Sequence, residues 1–90
     1  MIMNKQEFLA FSGLQIQTLD FWVEQQWLVP VDTTSGAEFS SADVARAHLI
    51  RDLKSDLGAN DEGIDVILHL MDQLHGLRQA LAQLQKEINH

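Results

Sequence analysis

Ninety residues suffice for one small domain with an appendage, and a chain this short buries a modest share of its surface. It has no cysteine, which excludes disulfides and thiolate metal sites, and no stretch approaches the roughly 20 apolar residues of a membrane span. The net charge of −7 is uneven: residues 1–45 hold one base, Lys5, and six acids, whereas residues 46–90 hold five bases and seven acids. Affinity for nucleic acid rests first on Lys and Arg that neutralise phosphates. The acidic first half therefore argues against a nucleic-acid partner and for a basic protein surface; the alternative, for any one carboxylate, is a charge that merely keeps the protein in solution. The start, MIMNKQEFLA, has neither the apolar run nor the cleavage-like site of a signal peptide. The expectation is a cytoplasmic protein.

Asn4 with Glu7 three residues on has the spacing of a capping box and predicts a short helix from Lys5 to Phe11. Ser12-Gly13 ends it, since glycine takes left-handed dihedrals without steric cost. Ile16, Leu19, Val23 and Trp27, spaced three, four and four, predict a second helix over 16–26 with those residues inward. Gln15 is a poor N-cap. The opposite side presents Gln17, Asp20, Phe21, Glu24 and Gln25. Phe21 reads two ways, as an aromatic contact flanked by carboxylates or, if the helix is rotated, as core. Trp22, Trp27 and Phe39 read as core.

Leu28-Val29-Pro30-Val31 reads as an extended arm, Asp32 to Gly36 as a turn cluster, and Ala37-Glu38-Phe39 as the returning strand of a two-stranded wing. Ser40 with Asp43 opens a third helix running to about Leu57, with Val44, Ala47, Leu49/Ile50, Leu53 and Leu57 inward and Gly58 closing it. Asn60 or Asp61 caps a last, long helix. Its first turn carries Asp61, Glu62 and Asp65, which the positive end of the helix dipole favours.

Ile67, Leu70, Leu74, Leu77, Leu81, Leu84 and Ile88 alternate three and four residues apart, the a/d seam of a coiled coil over about three heptads. Twenty-odd helical residues reach on the order of 35–40 Å, more than a sixty-residue domain can cover. A second copy of the same helix is the simplest cover, so the chain is expected to form a homodimer through Leu70, Leu74, Leu77, Leu81, Leu84 and Ile88. The alternative is a helix folded back on its own domain. Gly76 costs up to roughly 1 kcal/mol of helix propensity, and the seam fits parallel and antiparallel pairs alike. The expected division is a domain over 1–60 and a dimerising helix over 61–90.

Sequence chemistry is sparse. His48, His69, His75 and His90 form no H-x-x-x-H pair, and no metal or other cofactor is expected. There is no Gly-rich phosphate loop, no G-x-S-x-G and no Cys nucleophile, so the chain is not expected to be an enzyme.

Helix, turn, helix, wing, helix and coiled coil is the layout of MerR-type regulators. "TLDFWVEQQWLVP" resembles their recognition helix, and "FSSADVARAHLIRDLKSDLGANDEGIDVILHLMD" resembles the two helices after the wing. The resemblance implies an all-α, MerR-like winged helix-turn-helix with a short β-hairpin wing and a long C-terminal coiled-coil helix. In that pattern an Arg falls where Asp20 stands, followed by aromatics at Phe21 and Trp22, and a basic wing residue is expected around Asp32. The scaffold is kept and the DNA contacts are lost.

The chaperone-modulator family CbpM departs in this same way. "EGIDVILHLMDQLHGLRQALAQLQKEI" resembles its C-terminal region: a Gly-Ile pair, an apolar run ending in LMD, and a Leu-rich coil. That resemblance implies binding to the J-domain of a DnaJ/CbpA-like co-chaperone and inhibition of its stimulation of DnaK. Two acidic patches are candidates for the J-domain's basic helix. One is Asp20, Glu24 and Asp32 with Phe21; the other is Asp61, Glu62 and Asp65. The competing reading is a MerR-type DNA-binding regulator, in which Arg46, Arg51 and Lys54 of the third helix would carry phosphate binding.

Overall fold

A computed structural model describes residues 1–89 of the chain; His90, one of the four histidines weighed above, lies outside them. The elements run β1 (Ile2–Met3), α1 (Lys5–Ser12), α2 (Ile16–Glu24), β2 (Val31–Thr33), β3 (Gly36–Ser40), α3 (Ser41–Ser55) and α4 (Asp61–Ile88). The fold is mostly helical with a small three-stranded antiparallel sheet in the order β1-β3-β2. Backbone contacts divide the chain into two compact units, Met1–Gly58 and the remainder from Ala59.

Local chemistry sets the helix starts. Asn4 and Ser40 each close a reciprocal capping box, with Glu7 and Asp43 respectively, so two orphan amides at each helix start find acceptors. Gln15 caps α2 with no side-chain bond, as its chemistry predicts. Gly13, at φ 74, returns its amide to the Leu9 carbonyl and ends α1.

The end of α2 is less obvious from sequence. The helix stops at Glu24, and Gln26 adopts left-handed φ 63. The Gln26 amide donates to the Val23 carbonyl at 3.1 Å and the Trp27 amide to Trp22 at 2.9 Å. These are the paired bonds of a Schellman motif. The motif's apolar contact is made by Trp22 and Trp27, whose ring centroids lie 6.2 Å apart. Arg46 Nε then donates to the Trp27 carbonyl at 2.6 Å, tying the turn to α3.

Leu28, expected in the arm, is fully buried in this turn, and the strand begins only at Val31. Asp32, expected in the wing's turn, belongs to β2 and pairs with Ala37; Thr33 pairs with Gly36, leaving Thr34-Ser35 as the loop. Thr33 Oγ1 donates to the Gly36 carbonyl at 2.8 Å and accepts from the Ser35 amide, a side-chain turn that competes well with water for the loop's backbone. Phe39 of β3 is buried and stacks on Phe8 of α1, centroids 4.3 Å apart.

The inward face of α2 also differs from the spacing argument. Leu19 and Trp22 are buried while Ile16 is exposed. Ile16 is the helix's first residue, and burial of the larger Trp22 outweighs it. Leu57 is exposed, not inward, because α3 ends at Ser55 and Leu57 no longer sits on the helical ladder. In α4, Asn60 is the cap, its Oδ1 accepting from the Gly63 amide at 2.8 Å. The buried residues of α4 are Ile64 and Leu68, neither of them on the expected seam.

Candidate functional site

The two acidic sets belong to different units. In the first unit, α2 presents Asp20, Phe21 and Glu24, and β2 presents Asp32. All four are exposed, Phe21 only to 38 % because its ring meets Trp27 edge-on at 5.8 Å. Phe21 thus packs in part against the core residue Trp27, and the rest of its side chain faces solvent. The Asp20 carboxylate accepts from the Lys5 ammonium at 2.7 Å. Glu24 and Asp32 form no ion pair among the described residues.

The structure brings Asp20 and Asp32 to one cavity of about 170 Å³ between α2 and the wing, lined also by Val23, Pro30 and Ala37. Glu24 is not part of that lining. Spacing gave no hint of Lys5, fifteen residues before its partner. The only available signal was that Lys5 is the sole base among the first 45 residues, where a carboxylate neighbour is almost unavoidable.

In the second unit, Asp61 and Glu62 occupy the first turn of α4, where the helix dipole favours them. Asp65 sits a turn later beside Val66, His69 and Leu70. The seam residues Leu70, Leu74, Leu77, Leu81, Leu84 and Ile88 are between 47 and 72 % exposed. A row of that length is far more apolar surface than isolated surface leucines leave.

The cations of α3 are engaged locally. Arg46 holds the Trp27 carbonyl, and the Lys54 ammonium lies 5.7 Å from the Trp27 ring centroid, within reach of a cation–π contact. Arg51 lies 3.8 Å from the Asp52 carboxylate. Arg51 and Lys54 nevertheless share a cavity of about 400 Å³ with Gln15 and Thr18 at the start of α2. Among the described residues no three His, Asp or Glu side chains gather closely enough to hold a metal ion, and no helix is long and apolar enough to cross a membrane.

Helix, turn, helix, β-hairpin and helix define a winged helix-turn-helix regulator domain. The family model described as MerR HTH family regulatory protein matches residues 3–86, and the chain belongs to that family. No curated protein and no solved structure matches it.

Proposed function

We propose that this MerR-family chain is a chaperone modulator of the CbpM kind. It binds the J-domain of a DnaJ/CbpA-like co-chaperone through an acidic surface and thereby inhibits stimulation of DnaK. One observation carries the reading: the surface of α2 and the wing holds Asp20, Glu24 and Asp32, and no Lys or Arg occurs from Leu14 to Ala45. A regulator that reads DNA needs cations there; a protein that covers a basic helix needs carboxylates. On this reading the chain is a binding protein and not an enzyme, uses no metal or other cofactor, and acts in the cytoplasm as a homodimer paired through the α4 seam.

The test is a calorimetric or NMR titration with the J-domain, beside a genomic-DNA control. Saturable J-domain binding and loss of J-domain-stimulated DnaK turnover are the expected outcome. The double variant D20K/E24K should weaken binding by about tenfold. Unchanged affinity at low salt would remove the α2 face and leave Asp61, Glu62 and Asp65 as the contact.

A second reading has one observation in its favour. Arg51 and Lys54 line a cavity with the uncapped start of α2, an arrangement that could take a DNA phosphate. Binding to DNA that falls steeply with salt, with a silent J-domain, would establish that reading instead.

A further inference from the structure

The cavity between α2 and the wing has a composition that neither acidity nor fold requires. Its lining is apolar at Leu19, Val23, Pro30, Ala37 and Phe39 and carries carboxylates from two elements, Asp20 on α2 and Asp32 on β2. At about 170 Å³ it is smaller than the roughly 300–1,000 Å³ of sites for small-molecule ligands. It is of a size for one side chain. A lining that is mostly apolar and also carries two acids suits a side chain with a hydrocarbon stem and a cationic head, which is the build of lysine and arginine.

The chain itself supplies a second, independent observation. Lys5, from α1, lines the same cavity and its ammonium sits 2.7 Å from Asp20. One of the cavity's two carboxylates therefore already holds a lysine head. Asp32 has no such partner among the described residues. The Lys5–Asp20 pair is about half exposed on both sides, so separating it costs little.

We infer that this notch is the seat for a single lysine or arginine side chain of the protein partner, and that Lys5 is an internal competitor for it. The inference deepens the J-domain reading and rests on it for the partner's identity. The stem of the incoming side chain lies on Val23, Pro30 and Ala37, and its head meets Asp32. Asp20 is shared with, or taken from, Lys5. Lys5 thus weakens the partner's binding, because its charge beside the arriving cation offsets the attraction of Asp20.

This makes an unusual sign prediction. K5M should tighten partner binding by about two- to fivefold, and D32N should weaken it by a similar factor. A gain of affinity cannot arise from a damaged fold, which keeps K5M informative. The full-length protein and both variants are titrated, by NMR, with the J-domain and separately with a short Lys/Arg-rich helical peptide as a plain cationic probe. Opposite effects of K5M and D32N, with shifts at the Val23, Asp32 and Ala37 amides, support the inference. J-domain binding with a silent notch and two neutral variants overturns the inference and leaves the J-domain reading standing. A silent J-domain, with the peptide producing the opposite-sign pattern at the notch, supports the cation seat and overturns the J-domain reading. Failure of both probes overturns both.

Discussion

Among the described residues Gln26 is the one non-glycine with positive φ, and it sits where the Schellman motif of α2 demands a left-handed residue. An L side chain pays roughly 1–2 kcal/mol in that region. Glycine avoids this but loses about 0.5–1 kcal/mol of backbone freedom on folding. Q26G should therefore stabilise the protein by about 0.5–1 kcal/mol, raising Tm by roughly 2–8 °C in thermal unfolding by circular dichroism. A fall in Tm would mean that the Gln26 side chain holds something the backbone geometry does not explain. The bulky residues of this region were legible in the sequence: Trp22, Trp27 and Phe39 are buried as their size predicts. Gln26 was not, because the usual marks of a left-handed cap are Gly or Asn. The same holds for the ion pair of the notch, since nothing in sequence spacing connects Lys5 to Asp20.

Elements whose boundaries are set by neighbours along the chain were the readable ones. The boxes at Asn4 and Ser40, the glycine stop at Gly13 and the Asn60 cap all depend on residues within four positions. The strand β1 was missed because two residues carry no periodicity; its existence depends on pairing Ile2 with Ser40 and Met3 with Phe39, across most of the first unit's chain. The wing was legible as a hairpin, but its register was not, and that register is what places Asp32 beside the cavity. The boxes also allow a quantitative test. Ser40 accepts from the Asp43 amide at 3.3 Å and also donates to Asp43 Oδ2. S40A removes both bonds and should cost about 1 kcal/mol, a drop of some 4–8 °C in Tm for a chain this size. An unchanged midpoint would mean that Asp43 alone suffices to start α3.

At the scale of the molecule, the surplus is apolar surface on α4. The helix has 28 residues, about 42 Å of length at 1.5 Å per residue. Burial within the chain falls on Ile64 and Leu68, near its start. Beyond them, Leu70, Leu74, Leu77, Leu81, Leu84 and Ile88 repeat every three and four residues, each between 47 and 72 % exposed. A helix in a protein draws most of its stability from packing of its apolar face rather than from propensity, and here Gly76 weakens the propensity further. The proposed homodimer resolves both problems by pairing one seam against another, each a/d residue entering a hole on the partner helix. The consequence is measurable. Helicity and sedimentation coefficient should both fall on dilution, together, as the seam separates. L77E places a charge at the seam's middle while keeping nearly the same helix propensity, and Leu77 is 69 % exposed in the single chain, so the substitution disturbs no packing there. It should convert the dimer to a monomer at concentrations where the parent is fully paired, and leave the unit Met1–Gly58 folded. A parent chain that sediments as a monomer at all concentrations, with L77E identical to it, would leave the Leu70–Ile88 row to some other protein, and the J-domain titration should then be repeated with this helix as a candidate contact.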